Sequence, residues 1–242
     1  MIPKVIHFCW LSGEPYPPIV NTCIESWIKY LSDYEIILWD THRIDINSNL
    51  WLKQAFEARK YAFAADYIRF YALYNYGGIY LDADVEVIKS FDSLLEEQQF
   101  LGEEAGGDIE AAVMGAEQGS PWVKECLDYY IDRPFIKDNG NYDMRPVPLL
   151  ISEIVADKKE YIDVKPFYYF SPKNFCIGDI SIREETYCIH HFDGKWVKKD
   201  FYFTIKMMLH RTLYFLFGRT GHNKIIKFIR KQYHELSIHK FL

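Results

Sequence analysis

The 242-residue sequence lacks the segments that would place it in a membrane or send it across one. No uninterrupted apolar stretch approaches the roughly 20 residues that a spanning helix needs. Residues 1–10 read as a first strand rather than as a charged, then apolar, signal sequence. The five cysteines are scattered and odd in number, with no C-x-x-C pair for zinc or redox chemistry. We therefore expect a cytoplasmic protein with reduced thiols.

Several nucleotide and hydrolase motifs are also missing. The sequence has no G-x-x-x-x-G-K-[ST], no G-x-G-x-x-G and no G-x-S-x-G. ATP hydrolysis, hydride transfer and serine hydrolysis therefore lose support.

The chain is rich in apolar residues, which make up 49% of it, and in aromatic residues, which make up 17%. This apolar content is enough for the core of one large α/β domain. Aromatic residues in this number suit either a ring-rich core or surfaces that stack on sugars and bases. The net charge of −6 is uneven, because residues 195–242 hold eleven Lys and Arg against two Asp and Glu. That segment carries +9 and the remainder −15, so the two parts face different partners.

Short apolar runs alternate with helical patterns along the chain. Strands are expected at residues 1–10, 36–39, 79–81 and 111–116. Helices are expected at residues 20–30, 50–76 with a break near Lys60, and 122–131. This alternation predicts a mainly parallel sheet flanked by helices, with ligands at the carboxyl ends of the strands. Asp40 and Asp82 would both lie at that edge.

Asp82 and Asp84 form a D-x-D pair just after a buried strand. Two carboxylates at this spacing can turn toward one Mg²⁺ or Mn²⁺ ion that also binds substrate phosphates. An acidic turn at a strand end is the simpler interpretation of such a pair. A third is a phosphohydrolase of the haloacid-dehalogenase type with Asp82 as nucleophile, although Glu86 and the spacing of later acids fit that class poorly.

Asp66 and Arg69 stand three residues apart in an otherwise apolar and aromatic helix, so they share one face. A surface ion pair would explain them, but buried charges usually need a partner or a purpose. We interpret them as functional.

Four segments occur in order along the chain: I-P-K-V-I-H-F-C-W at residues 2–10, S-W at 26–27, A-D-Y-I-R at 65–69 and G-G-I-Y-L-D-A-D at 77–84. Together they resemble glycosyltransferase family 32. That family contains capsular-polysaccharide and lipopolysaccharide transferases and fungal mannosyltransferases, and it is related to the large clostridial glucosylating toxins. The resemblance covers about residues 1–196. It implies a GT-A fold, a Mn²⁺-type ion and transfer with retention of anomeric configuration.

The resemblance also implies roles for individual residues. Trp10 would stack on the nucleobase, Asp66 and Arg69 would hold the donor sugar, and Tyr80 would line the diphosphate. Asp82 would contact the ribose and the metal, and Asp84 would bind the ion directly.

The segment H-H-F-D-G-K-W at residues 190–196 resembles the family's second metal-site segment. His191 is the expected third ligand, and because adjacent strand residues point to opposite sides, only one of the two histidines should reach the ion. Lys195 replaces a usual serine and is expected, with Trp196, beside the donor diphosphate. Ala111 and Pro146-Val147-Pro148 also depart from the family pattern, in the half expected to face the acceptor.

Residues 197–242 are predicted to form a basic amphipathic helical extension after a catalytic domain at residues 1–196. Such helices suit an anionic membrane surface, although packing on the catalytic domain or dimerisation would also explain them. Because the rest of the chain is acidic, no nucleic-acid partner is expected.

The sequence therefore predicts a retaining transferase that moves a hexose from UDP-galactose or UDP-glucose to a saccharide acceptor. A lipid-linked acceptor in capsular or surface polysaccharide synthesis, at the inner face of the cell membrane, is the expected setting. GDP-mannose stays open as a donor, and a carbohydrate-binding module without catalysis is a further alternative.

Overall fold

The computed structural model is described here for residues 1–105, 107–156, 158, 162–193 and 201–238, without the side chains of residues 202, 203 and 230–238. The described residues form eight strands and six α-helices. The strands are β1 (Val5–Cys9), β2 (Glu35–Trp39), β3 (Gly78–Leu81), β4 (Val85–Val87), β5 (Gln99–Glu103), β6 (Ile109–Ala116), β7 (Asp163–Lys165) and β8 (Cys188–His190). The helices are α1 (Pro18–Tyr30), α2 (Leu50–Glu57), α3 (Tyr61–Tyr76), α4 (Pro121–Asp128), α5 (Val147–Val155) and α6 (Phe201–Ile238).

The central sheet has the strand order β2-β1-β3-β6-β5-β7. β1 runs parallel to β2 and β3, and β7 runs parallel to β5, whereas β6 is antiparallel to both β3 and β5. A second, two-stranded sheet pairs β4 with β8. The predicted fold class, an α/β domain with a mainly parallel sheet flanked by helices, is confirmed.

Two glycines join α3 to β3. Gly77 has φ +63° and Gly78 has φ +102°, a conformation that residues with a side chain rarely adopt. A Cβ on Gly78 would lie 2.6 Å from the Val5 carbonyl oxygen of β1. This Gly-Gly pair therefore ends α3 and lets β3 enter the sheet directly beside β1.

Aromatic rings fill the core on both faces of the sheet. Nine of the twelve largest fully buried side chains are aromatic, so much of the aromatic content serves packing. One cluster, with Trp51, Phe70 and Trp122, lies under α2 to α5. The other, with Trp27 and Phe100, lies under α1.

The C-terminal helix α6 consists of two segments, because the backbone leaves helical geometry at Gly218 (φ 64°, ψ −178°). It is attached to the domain through Arg219, whose guanidinium donates to the Asp179 carboxylate (2.7 Å) and to the Pro172 carbonyl (3.0 Å). The Tyr214 hydroxyl donates to the same carboxylate (2.6 Å). The predicted helical extension is present, but the expected boundary at residues 196 and 197 lies outside the described residues. Within the described part, no helix is both long enough and apolar enough to span a bilayer.

Candidate active site

Three polar or aromatic residues follow the three parallel strands. Trp10 follows β1, Asp40 follows β2 and Asp82 follows β3. The ends are held in register, since the Trp10 amide donates to the Trp39 carbonyl (3.0 Å) and the Asp82 amide to the Ala112 carbonyl (2.8 Å). Because the carboxyl ends of parallel strands share one edge, the predicted site residues meet there.

A tight turn carries the chain from β3 into β4 through the D-x-D pair. The Val85 amide donates to the Asp82 carbonyl (3.0 Å), which closes the turn. α1 then holds β4 in place, because the Trp27 indole donates to the Val85 carbonyl (2.7 Å) and the Ser26 hydroxyl accepts from the Val87 amide (2.9 Å). The Ser-Trp pair of α1 therefore fixes the strand that leaves the acidic turn.

The structure brings His190 to the two aspartates. β8 pairs antiparallel with β4, with His190 opposite Val85. The His190 Nε2 atom lies 3.6 Å from an Asp84 carboxylate oxygen. One ligand atom each from Asp82, Asp84 and His190 all lie within 4.8 Å of one another. Two carboxylates and an imidazole form a donor set that suits Mn²⁺, so these residues fit the expected ion.

His191, the ligand expected from the sequence, does not face this cluster. Its Nε2 atom lies 2.8 Å from the Glu86 carboxylate. His190 and Val85 are paired in the small sheet, whereas Glu86 and His191, each one residue further along the chain, point to the other face. The expectation that only one histidine reaches the aspartates agrees with the geometry, but the structure places His190 there.

Glu110 lies behind His190 and is only 2% exposed. Its carboxylate contacts His190 Nδ1 and accepts a hydrogen bond from the Ser171 hydroxyl. Burial raises the pKa of Glu110. Burial also lowers the pKa of His190, but the Glu110 carboxylate, together with Asp84 and Asp82, outweighs it and raises that pKa to about 9.

In the sequence alone, Glu110 is one of four acids, with Glu103, Glu104 and Asp108, that are candidates for positioning the acceptor, although each is more simply an ordinary loop residue. The structure instead places Glu110 inside β6, where every residue is buried. A single acid in the run I-E-A-A-V-M-G-A was the available signal. The partner Ser171 had no sequence signal.

Asp66 and Arg69 of α3 lie beneath the same edge, 6% and 5% exposed. The Arg69 guanidinium lies 3.0 Å from Asp66 and 3.4 Å from Asp82, and it donates to the Ala111 carbonyl (2.7 Å). It also stacks over the Tyr80 ring at 4.7 Å. Asp66 and Arg69 therefore form a buried ion pair that holds Asp82 in position. Little of either side chain is accessible to a ligand.

This burial also changes the proton affinity of the acid. Desolvation raises the pKa of Asp66 to about 7, against the opposing effect of Arg69. Burial lowers the pKa of Arg69, but Tyr80, Asp82 and Asp66 outweigh it and raise that pKa above its ordinary value. Arg69 therefore stays charged, as a fixed cation behind the acidic turn.

Trp10 lines an open cleft at the ends of β1 and β2. The cleft also includes Tyr16, Asp40 and His42. The Trp10 indole donates to the Glu14 carbonyl (2.7 Å) and meets the Tyr16 ring edge to face at 5.2 Å. An aromatic wall with polar residues at its rim can take a planar ring such as a nucleobase.

The remaining departures from the family pattern fall in different places. Lys195 and Trp196 lie outside the described residues. Ala111 is buried in β6, where its carbonyl binds Arg69. Pro146 precedes α5, and Pro148 lies within the first turn of that helix, where a missing amide costs nothing.

Residues 17–101 match the family described as the glycosyltransferase sugar-binding region containing DXD motif. The matched segment contains Asp66, Arg69, Asp82 and Asp84, the acidic turn and its buried cation. The matched region is that of a DXD-containing glycosyltransferase. The resemblance read from the sequence motifs is thereby confirmed.

Curated proteins that are similar to this chain include two of Schizosaccharomyces pombe. Inositol phosphoceramide mannosyltransferase 3 is 33% identical over 130 residues, which cover 52% of this chain and 36% of that protein. Inositol phosphoceramide mannosyltransferase 2 is 26% identical over 212 residues, covering 83% and 59%. The chain thus spans between about a third and three fifths of these relatives' length.

Among solved structures, the PaToxG glycosyltransferase superposes with a TM-score of 0.48 at 16% sequence identity. The alignment covers 65% of this chain and 70% of that one.

Proposed function

We propose that this protein is a metal-dependent glycosyltransferase that moves a hexose from a nucleotide-sugar to a saccharide or glycolipid acceptor. The convergence of Asp82, Asp84 and His190 at the carboxyl edge of the sheet is the observation that carries the proposal. Asp82 and Asp84 lie within the region that matches the DXD glycosyltransferase family, and a cleft with an aromatic wall lies at the ends of the neighbouring strands β1 and β2.

The chemistry requires stabilisation of the departing diphosphate. Asp82, Asp84 and His190 would hold a Mn²⁺ or Mg²⁺ ion, which supplies Lewis-acid neutralisation of the charge that develops on the leaving group. Arg69 keeps Asp82 in place, and Asp66 keeps Arg69 in place. Trp10 would stack on the nucleobase, with Asp40 at the rim of the cleft.

Retention of configuration stays a proposal of the sequence resemblance. Same-face attack and a double displacement through a carboxylate both give that outcome. Glu110 is poorly suited to the second route, because both of its oxygens are already engaged and it is almost fully buried.

The donor sugar has two proposals. The sequence resemblance favours UDP-galactose or UDP-glucose, whereas the names of the two yeast relatives favour mannose, and so GDP-mannose. The same names favour a glycolipid acceptor over a free sugar, and capsular or surface polysaccharide synthesis stays a proposal of the resemblance alone.

A donor panel tests this function. The full chain is incubated with UDP-galactose, UDP-glucose and GDP-mannose, with Mn²⁺ or with EDTA, and nucleotide release is scored. We expect release from one donor class only, and loss of that release in EDTA. Equal release in EDTA would contradict the metal role, and no release from any nucleotide-sugar, with or without acceptor extract, would contradict the transferase.

The two alternatives make different predictions. A phosphohydrolase with Asp82 as nucleophile would cleave p-nitrophenyl phosphate and ignore nucleotide-sugars. A carbohydrate-binding module would retain saccharides in EDTA and release no nucleotide. The family match and the His190 cluster favour the transferase over both.

We also propose that α6 docks on an anionic membrane surface, which would make the protein peripheral at the inner face of the cell membrane. Six of its large apolar side chains are between 61% and 89% exposed: Phe201, Met208, Leu209, Phe215, Leu216 and Phe228. Residues 201–229 contain five Lys and Arg and no Asp or Glu. Apolar side chains beside basic residues match the interface of an anionic bilayer.

Liposome flotation tests this surface. The full chain should float with vesicles containing phosphatidylserine and stay behind with pure phosphatidylcholine. A Phe215→Glu/Leu216→Glu double variant should lose binding, while Ile131→Glu, a change of an exposed apolar residue far along the chain, should not. Flotation of the double variant equal to wild type would refute membrane docking, as would a stable dimer in sedimentation that buries α6.

A further inference from the structure

The buried carboxylate of Glu110 joins the two sheets of the protein. Glu110 belongs to β6 in the central sheet, whereas His190 ends β8 in the small sheet. Ser171 lies next to Phe170, whose carbonyl accepts the backbone amide of His190 (3.2 Å). Glu110 therefore contacts the histidine at the acidic turn and also the segment that supports that histidine.

Both oxygens of Glu110 are engaged. Oε1 contacts His190 Nδ1 and Oε2 accepts from the Ser171 hydroxyl. Burying a carboxylate is costly unless hydrogen bonds compensate, and here each oxygen has its own partner. With no free oxygen and 2% exposure, Glu110 offers nothing to a substrate directly.

The contact with His190 has a directional consequence. An imidazole whose Nδ1 carries a proton toward a carboxylate presents Nε2 on the opposite side of the ring. Here that opposite side faces Asp84, with His190 Nε2 3.6 Å from the carboxylate. Carboxylates placed behind ligating histidines in this way fix the tautomer and the ring orientation.

We infer that Glu110 is a positioning residue that holds His190 so that its Nε2 atom faces the Asp82–Asp84 pair, and that Ser171 fixes Glu110 in turn. This inference rests on the proposed function, because it assigns His190 to a divalent cation. The competing account is purely structural: Glu110 would tie β6 to β8 and leave cation binding unaffected.

Direct binding of Mn²⁺ to the full chain, without any donor or acceptor, separates the two accounts. Glu110→Gln keeps the shape of the side chain and removes its charge, and Glu103→Gln is the matched control on the neighbouring strand β5. By calorimetry or continuous-wave EPR, we expect Glu110→Gln to weaken Mn²⁺ binding by about 10- to 100-fold and Glu103→Gln to leave it within twofold. Unchanged affinity in Glu110→Gln would overturn the inference.

A spectroscopic measurement distinguishes the loss of histidine coordination from a general structural effect on Mn²⁺ binding. At saturating Mn²⁺, electron spin-echo modulation from a coordinated imidazole nitrogen should be present in wild type and in Glu103→Gln. It should be absent in His190→Ala and reduced in Glu110→Gln. If Glu110→Gln fails to fold, Ser171→Ala takes its place, with a smaller loss of affinity expected and full nitrogen modulation counting against the inference.

The outcomes also separate this inference from the proposed function. If Asp84→Asn and His190→Ala bind Mn²⁺ as wild type does, the metal site itself is wrong. If both lose Mn²⁺ binding while Glu110→Gln retains it, the site stands and only the role of Glu110 fails.

Discussion

The carboxyl edge of the sheet buries charged side chains, whereas the helix α6 exposes large apolar ones. At the edge, Asp66, Arg69 and Glu110 are almost fully buried, and each charged group has a partner. Along α6, large apolar side chains stand in solvent among basic residues. The charged groups of the edge already have partners within the protein, whereas α6 exposes apolar surface that an external partner would cover. Changes at the edge should therefore alter stability and metal binding, and changes on α6 should alter association.

The largest stability effect should come from His7, in the strand that leads to the edge. Its Nδ1 accepts from the Trp39 indole (3.1 Å), so its Nε2 donates to the Gly77 carbonyl (2.8 Å). Burial lowers the pKa of His7 to about 4. Below pH 6.5 the unfolded chain binds a proton at His7, whereas the folded chain binds it only as the pH approaches 4. Stability should therefore fall by about 3 kcal/mol as the pH drops from 6.5 to 4.

Urea unfolding at several pH values between 7 and 4 checks this prediction. His7→Gln removes the titrating group, so the stability difference between wild type and variant should shrink as the pH falls. If the difference in free energy of unfolding between wild type and variant stays constant across this range, the pKa of His7 is not lowered in the folded protein. Flotation by α6 should be unaffected by the variant at pH 7.

The next effect separates the two adjacent histidines. His190→Ala should weaken Mn²⁺ binding by about 10- to 100-fold, because it removes a ligand atom from the cluster. His191→Ala should change it less than threefold, since that side chain contacts Glu86 on the other face. Calorimetric titration measures both variants under one condition. A larger loss in His191→Ala than in His190→Ala would restore the original expectation.

How much of this site the sequence could predict depends on whether the interacting residues are near each other in the chain or far apart. Strands β1 to β3, the end of α3 at Gly77-Gly78 and the carboxyl edge were predictable, because apolar runs, glycines and strand ends are local features. The choice of His190 over His191 was not, because it depends on the pairing of β8 with β4, which are about 100 residues apart in the chain.

The role of Glu110 was hidden for the same reason, since both of its partners come from distant segments. For α6, composition indicated an amphipathic helix, but the attachment through Asp179 and Arg219 carried no sequence signal.

Smaller effects are expected from single basic residues of α6. Lys206→Ala and Arg211→Ala remove exposed charges, and each should weaken binding to phosphatidylserine vesicles by about 1 kcal/mol, or about fivefold. Lys29→Ala, an exposed lysine on α1, is the matched control and should have no effect. Vesicle cosedimentation at low and high salt measures this, and equal losses in all three variants would mean that α6 is not the docking surface.

The smallest effect should come from the attachment of α6. Arg219→Ala removes the hydrogen bonds to Asp179 and Pro172, but the Asp179 carboxylate is partly exposed, so the loss of stability should stay below about 1 kcal/mol. The measurable result is faster limited proteolysis near Gly218, with the rest of the domain intact. Proteolysis of Arg219→Ala at the wild-type rate would show that this contact does not hold the helix.

The most direct test of the central claim compares two acids separated by one residue at the turn. Nucleotide release from the best donor is measured with Mn²⁺ for Asp84→Asn and for Glu86→Gln, since Asp84 faces His190 whereas Glu86 faces His191. We predict that Asp84→Asn lowers the rate by at least about 100-fold and that Glu86→Gln retains most of it. Full activity in Asp84→Asn would contradict the account.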